Sequence, residues 1–328
     1  MRTLKACRVL VTPTTFGLYD KRLCQELEST LGEVIYNEFG RPLTSEELQK
    51  QLPGCDALIA GLDHLDSTAL ASADRLRVIA RYGAGVDNID LKAAARKGIT
   101  VTNTPNANSV SVAELTIGLL LSLARSIPET TRAVREGKWP RLHGKLLAGK
   151  VIGLVGFGAI GKEVARRLQP WQTAVLACDP FGDEAQAHSL GVRLVDMDQL
   201  IHDSDFLSLH VPLLDETRHM VDADFLSRMK RGAYLINAAR GELLDQEALL
   251  NALDSGHLGG AALDVYAEEP PPADCPLRHH QRVIATPHCG AHTDGAADSM
   301  GWESVRDCLA VLRGEPPLHP VVIQGGAA

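Results

Sequence analysis

Apolar residues fall along this chain in short runs, and the spacing between runs switches between two periods. Residues 8–12, 33–36, 57–60 and 77–80 have the length and composition of strands buried in a sheet. Between them, residues 20–31 carry Leu23, Leu27 and Leu31 at helical spacing, and residues 45–52 and 67–73 read as shorter helices. Strand and helix in strict alternation predict a parallel sheet with helices on both faces. This is one doubly wound unit, ending around Val101, with a helix over residues 91–97 near its close.

Ser111-Val112-Ala113-Glu114 has the spacing of a capping box. It predicts the start of a long helix through Leu115, Leu119, Leu120 and Leu123, continuing to Glu136. Apolar positions on several of its faces imply burial on several sides, within one subunit or against a partner. The alternation then resumes. Strands are predicted at 151–155, 174–178, 192–195, 206–210, 233–237, 260–265 and 282–286. Helices lie between them, and a last helix spans 294–313 before Pro316-Pro317. The fold class is α/β, with two doubly wound parallel-sheet domains, the second running from about residue 102 to 290.

Composition narrows the class. A net charge of −8 lacks the basic face that a nucleic-acid partner requires. No apolar run reaches membrane-spanning length, so no membrane role is expected. Arg2 and Lys5 precede an apolar run that Pro13 cuts short, which reads as a first strand and not a signal peptide. The 7 cysteines are scattered without a C-x-x-C pair, so reduced thiols in a cytoplasmic setting are expected, with no disulfide framework and no metal site.

One stretch carries specific chemistry. The strand at 151–155 runs into Gly156-Phe157-Gly158-Ala159-Ile160-Gly161, a G-x-G-x-x-G, and helical spacing follows at Val164, Ala165 and Leu168. The next strand ends in Asp179. Gly156 permits the tight turn, Gly158 lets the backbone approach a pyrophosphate, and Gly161 lets helix and strand pack closely. The helix N-terminus offers free N–H groups to phosphate. Asp179 suits the two hydroxyls of an adenosine ribose. Its charge would repel a 2′-phosphate, and Pro180-Phe181-Gly182-Asp183-Glu184 supplies no arginine to bind one, so NAD is favoured over NADP.

Other candidates sit at predicted strand ends, where open α/β sheets bind ligands. The turn at Gly83-Ala84-Gly85 follows Arg81, and its N–H groups suit a small anion such as a carboxylate. Arg240 brings a planar guanidinium suited to a carboxylate. His288 follows Thr286-Pro287, and imidazole as a class titrates near neutrality, as proton transfer requires. Glu269 is placed to orient that ring. Read from spacing alone, each of the three could equally be structural: an ion pair, a solvated loop acid, one histidine of 12.

These motifs together resemble the D-2-hydroxyacid dehydrogenase family, most of all its 3-phosphoglycerate dehydrogenase branch. The matching stretches are Gly83 through Asp90, Asn103-Thr104-Pro105, Ser111 through Leu115, Gly156 through Gly161, Asn237 through Gly241, Ala262 through Tyr266, Glu268-Glu269-Pro270 and Thr286-Pro287-His288. They come in family order across most of the chain. The resemblance implies an NAD-dependent enzyme that moves hydride between NAD(H) and C2 of a small 2-hydroxy or 2-oxo acid. It implies that Arg240 binds the 2-oxo acid, that His288 is the general acid in ketone reduction, and that Glu269 is its partner. Gly83, Ala84 and Gly85 would hold the substrate carboxylate, with Arg81 near the far end of the substrate. Asp264 would bind the nicotinamide carboxamide. Gly156, Gly158, Ala159, Ile160, Gly161, Asp179, Val211, Pro212, Ala238, Ala239 and Gly290 would line the cofactor site.

The resemblance further implies a Rossmann NAD domain, 102–290, inserted in a flavodoxin-like substrate domain made of 1–101 and 291–328. It also implies a homodimer built on the long helix. Two departures are visible. The regulatory extensions of the branch have no counterpart here, so feedback control through such a domain is not expected. Ala60-Gly61-Leu62-Asp63-His64 lacks an arginine that phosphoglycerate enzymes often place there for the phosphate. That opens a hydroxypyruvate, glyoxylate or phosphonate-type substrate as an alternative. A further alternative, of another class, is an NAD-responsive corepressor-like protein with little turnover.

Overall fold

Strands covered on both faces need apolar residues at consecutive positions, and the central strands of the first sheet have them. The computed structural model describes residues 3–322, so residues 1–2 and 323–328 of the expected first domain lie outside the described residues. The first sheet is formed by β1 (Arg8–Val11), β2 (Glu33–Tyr36), β3 (Ala57–Ala60), β4 (Val78–Arg81) and β5 (Thr100–Thr102), all parallel, in the order β2-β1-β3-β4-β5. Alternate residues point to opposite faces. Val9, Val11 and Ile59 enter one apolar layer, shared with Leu23 and Leu27 of α1 (Arg22–Thr30). Leu10, Leu58 and Ile79 enter the other, with Leu48 of α2 (Ser45–Gln51), Leu70 of α3 (Ser67–Ser72) and Ala93 of α4 (Leu91–Arg96).

The second sheet has seven parallel strands. The helices α5 (Ser109–Arg125) and α6 (Ile127–Arg135) precede it. Then follow β6 (Val151–Val155), α7 (Ala159–Leu168), β7 (Ala174–Cys178), α8 (Glu184–Ser189), β8 (Val192–Leu194), α9 (Met197–Asp203) and β9 (Phe206–Leu209). The run is completed by α10 (Ala223–Arg228), β10 (Tyr234–Asn237), α11 (Gln246–Asp254), β11 (Gly260–Leu263), α12 (Pro276–His279) and β12 (Val283–Ala285). The order β12-β11-β10-β9-β6-β7-β8 reverses direction between β6 and β9. A crevice for ligands opens at such a reversal, outside the carboxyl ends of the strands. The last helix, α13 (Asp294–Arg313), returns to the first sheet, where Met300, Val305 and Cys308 join the α1 layer. The doubly wound α/β architecture expected from the alternation is therefore present in both sheets.

Many helices start on an aspartate. The carboxylates of Asp66, Asp90, Asp183, Asp196, Asp222 and Asp245 each accept a backbone N–H from the first turn that follows. Such caps satisfy donors that the helix itself leaves unpaired.

Three details depart from the sequence reading. Ser111 is not a cap: α5 already begins at Ser109, and the Ser111 hydroxyl donates to Gly290 O at 2.6 Å. The long helix does not reach Glu136 unbroken. It ends at Arg125, Ser126 takes left-handed φ of 48°, and α6 leaves at 63° with Pro128 in its first turn. The third is β5, a strand the hydrophobic pattern did not announce. It is three residues long, with threonine at both ends.

The contacts divide the chain into two units, one reaching Asn108 and resuming at Ala291, the other Ser109–Gly290. Residues 102–108 group with the first unit, where the sequence reading had begun the second. The reason is hydrogen bonding: Asn103 Nδ2 donates to Ala84 O at 2.7 Å and Thr104 N to Gly83 O at 3.1 Å. Among the described residues, no single helix is long and apolar enough to cross a membrane, and no group of three metal-ligating side chains gathers.

Candidate functional site

The glycine loop stands at the carboxyl end of β6, and its three glycines meet different surroundings. Gly156 has φ of 98°, and a Cβ there would lie 2.7 Å from His210 O. A Cβ on Gly161 would lie 2.4 Å from Gly156 O, so helix and loop touch backbone to backbone. A Cβ on Gly158 would meet nothing within 4 Å. The first and third glycines are thus required by the fold itself, and the second keeps a space open at the N-terminus of α7. Ala159 and Ile160 form the first turn of that helix.

Asp179 follows β7. One carboxylate oxygen accepts Phe157 N at 2.7 Å, and the other accepts Phe181 N at 2.8 Å. The carboxylate therefore ties the glycine loop to the loop after β7 and keeps lone pairs for further donors. Across the crevice, His210 follows β9, ahead of Val211 and Pro212. Both its ring nitrogens are buried without a hydrogen-bond partner, and burial pulls its pKa down to about 4. A neutral imidazole of this kind calls for a hydroxyl or similar group that none of the described residues supplies. The open space at Gly158, the helix N-terminus, the Asp179 carboxylate and this orphaned ring together fit a dinucleotide.

On the next strands lie the other expected residues. After β10, Asn237 shapes the turn: its amide donates to Arg240 O at 2.8 Å and its oxygen accepts Ala239 N at 3.1 Å. Ala238, Ala239 and Arg240 are carried on this turn, and Arg240 Nη1 donates to Ala239 O at 2.7 Å. After β11 comes Asp264, 1% exposed. Its Oδ1 accepts the Thr286 hydroxyl at 2.6 Å and Cys289 N at 2.9 Å, and Oδ2 accepts Gly290 N at 2.8 Å. His288 N donates to Asp264 O at 2.8 Å. Asp264 therefore folds the whole loop after β12, and Oδ2 retains a lone pair. The sequence reading gave it a cofactor role only. Its organising role had no local signal, because its partners lie more than twenty residues on.

That loop holds His288 in the left-handed region, φ 49°. Such a conformation in a non-glycine residue persists only when its surroundings impose it. The ring is thereby aimed at Glu269: Nδ1 and Oε2 lie 2.6 Å apart, with the two side chains 27% and 33% exposed. Glu269 Oε1 accepts Tyr266 N at 3.0 Å, so both carboxylate oxygens are held. Next to His288, the Cys289 thiol is pushed up to about 11, chiefly by burial, which keeps it protonated and unreactive at neutral pH.

The remaining candidates belong to the first unit. Gly83 has φ of 144°, and a Cβ there would collide with the Arg81 guanidinium at 2.7 Å. Arg81 is 5% exposed and donates to Tyr82 O and to Ala60 O. It underlies the Gly83-Ala84-Gly85 turn as much as it could face a ligand. Gly83 N in turn donates to the Thr104 hydroxyl at 3.0 Å. In the loop after β3, Asp63 is fully buried and accepts from Thr12, Gly61 N and Leu43 N.

A reversal of strand order, a glycine loop with an open approach, and an acid at the end of the next strand define a dinucleotide-binding α/β protein. Residues 117–290 match the model of the D-isomer specific 2-hydroxyacid dehydrogenase NAD binding domain. The chain belongs to that family, and NAD is the cofactor its binding domain takes. It is 42% identical over 289 residues to a D-3-phosphoglycerate dehydrogenase of Methanocaldococcus jannaschii, covering 87% of this chain and 55% of that one. The chain spans about half the length of the curated relatives it matches. Two solved structures align over nearly the whole chain. The TT0316 protein from Thermus thermophilus has a TM-score of 0.85 at 38% identity, covering 96% of this chain and 100% of that one. An NAD-dependent formate dehydrogenase from Staphylococcus aureus in complex with NAD has a TM-score of 0.86 at 32% identity, covering 97% and 100%.

Proposed function

We propose that this chain is an NAD-dependent dehydrogenase acting on a small D-2-hydroxy or 2-oxo acid, in the manner of 3-phosphoglycerate dehydrogenase. The observation that carries the reading is the His288–Glu269 pair, a partly exposed imidazole fixed by a carboxylate at 2.6 Å. NAD(H), when bound, gives or takes the hydride at C2 of the acid. His288 exchanges the proton of the C2 oxygen. With Nδ1 committed to Glu269, Nε2 is the nitrogen that transfers it, and the carboxylate stabilises the ring when it is charged. Arg240 binds the acid's carboxylate and steadies charge developing on the C2 oxygen. In the first unit, Ala84 and Gly85 offer backbone N–H groups to a carboxylate, and Gly83, whose N–H is taken by the Thr104 hydroxyl, shapes their turn. Asp264, through its free lone pair, and Gly156, Gly158, Ala159, Ile160, Gly161, Asp179, Val211, Pro212, Ala238, Ala239 and Gly290 hold the cofactor.

A second reading of the substrate has one observation in its favour. The loop after β3 carries no lysine or arginine and instead buries the Asp63 carboxyl group, which favours a substrate without a phosphate there. Hydroxypyruvate, glyoxylate and phosphonate-type 2-oxo acids are therefore tested beside 3-phosphohydroxypyruvate. The experiment is oxidation of NADH and of NADPH by the purified chain with each acid in turn. Turnover of any of them removes the binding-only, corepressor-like reading, and silence with all of them removes the dehydrogenase.

A homodimer is supported by apolar residues left at the surface on α6 and the segment after it. Ile127, Val134, Trp139 (80% exposed) and Leu146 (75% exposed) lie there. Light scattering of the purified chain measures the mass. The scattered cysteines, with no C-x-x-C pair among them, support a reducing, cytoplasmic compartment.

A further inference from the structure

The segment after α13 is held by a buried charge that the proposed chemistry does not use. Asp307, on α13, is 1% exposed. Its Oδ1 accepts Leu318 N at 2.8 Å and its Oδ2 accepts His319 N at 3.1 Å, while His319 Nδ1 lies 3.7 Å from the same oxygen. A carboxylate inside a protein is tolerated only where donors meet it. Asp307 therefore commits residues 318 and 319 to one position.

From there the contacts lead towards the first unit's candidate site. Pro320 bridges antiparallel to Thr102, and Val321 N donates to Val101 O at 2.8 Å, so the segment lies along the free edge of β5. His319 O accepts Asn103 N at 3.2 Å. Asn103 in turn sends its side-chain amide to Ala84 O at 2.7 Å. Its neighbour Thr104 holds Gly83 from both sides, hydroxyl to N and N to O. The Gly83-Ala84 turn thus hangs from residues 103 and 104, and these hang from the segment that Asp307 grips.

We propose that Asp307 is a positioning residue for the Gly83-Ala84 turn, acting through residues 318–321 and Asn103. The proposal rests on the reading of that turn as the carboxylate site, and its consequence is a specific one. Loosening Asp307 weakens capture of the acid and leaves NAD binding in the other unit unchanged.

The test uses the full chain with Asp307→Ala, Asp307→Asn, Asn103→Ala and the double variant Asp307→Ala with Asn103→Ala. Hydrogen exchange is followed at the amides of Gly83, Thr104, Leu318 and His319. Asp307→Ala should speed exchange at Gly83 and Thr104 by about tenfold or more, since both amides depend on the anchored edge. With the best 2-oxo acid its KM should rise by about tenfold while kcat and the KM for NADH stay within about twofold. Asp307→Asn keeps one acceptor oxygen and should recover part of both effects, and it serves as the probe should the alanine variant fold poorly. The double variant should fall short of the sum of the two single effects, because Asp307 acts on the turn partly through the Asn103 side chain.

Exchange confined to Leu318 and His319, with Gly83 and Thr104 unchanged, would overturn the proposal, as would additive effects on KM. Should the unmodified chain turn over no 2-oxo acid, the dehydrogenase reading fails. The exchange measurements still decide whether Asp307 holds the turn.

Discussion

His288 and Glu269 meet at 2.6 Å from positions nineteen residues apart, one on each of two loops at the sheet's edge. The pairing needs both loops in place: Tyr266 N fixes the carboxylate, and Asp264 fixes the backbone of His288. His288→Ala should lower kcat by about a hundred- to ten-thousandfold, the usual worth of a general acid or base. Glu269→Gln, which keeps the shape and removes the charge, should give a smaller loss. Steady-state kinetics check both, with NADH fluorescence showing that the cofactor still binds. Near-normal turnover by His288→Ala would falsify the assignment.

Gly158 and Gly161 separate cofactor binding from folding. A methyl group at Gly158 enters open space, so Gly158→Ala should change stability by no more than about 1 kcal/mol, the scale of a cap substitution. Its effect should appear as weaker NADH binding. Gly161→Ala presses a methyl onto Gly156 O and should cost about 1–3 kcal/mol of stability, as overpacking does. Urea denaturation and NADH titration on both variants distinguish the two roles. The assignment of Gly158 fails if its alanine variant binds NADH as tightly as the parent.

Asp179 should govern the choice between NAD and NADP. Asp179→Ser removes the charge that would face a 2′-phosphate and also releases the N–H groups of Phe157 and Phe181. The preference for NAD should fall by about tenfold to a hundredfold, the worth of one or two hydrogen bonds to a charged group. The ratio of kcat/KM for the two cofactors reads it directly.

His210 predicts an acid-sensitive unit. The folded chain holds its pKa near 4, below the 6.5 of an exposed ring, so between these values the unfolded chain binds a proton that the folded chain refuses. Stability is complete above pH 6.5 and is lost as the pH falls towards 4, by on the order of 3 kcal/mol for this group. His210→Gln should flatten that part of the profile. Urea midpoints at pH 7.5 and 4.5, compared between parent and variant, isolate the difference from other titrating groups. Parallel losses in the two proteins would rule His210 out as the cause.

What could be read from the sequence was whatever is local in the chain. The run from Val151 to Asp179 announces strand, turn, helix and strand because each signal lies within a few residues of the next. The βα alternation is equally plain, since buried parallel strands are apolar throughout. Interactions across sequence distance were not legible. Nothing near Asp264 says that Thr286, Cys289 and Gly290 will come to it. Nothing near Ser111 says that its hydroxyl will find Gly290 and not its own helix. The bend at Ser126 is a different case, because Pro128 was a usable sign of a helix start and the apolar periodicity on either side masked it. The left-handed backbone of His288 lies beyond any pattern of residue types, being imposed by contacts made elsewhere.

Each sheet is sandwiched by its own pair of apolar layers, and the four layers are separate clusters. Each unit thus has a core of its own. A calorimeter heating this chain should register two melting events, and added NAD should raise one of them by mass action and leave the other where it was. The molecule would then report which half has caught a ligand simply by which half holds together longer.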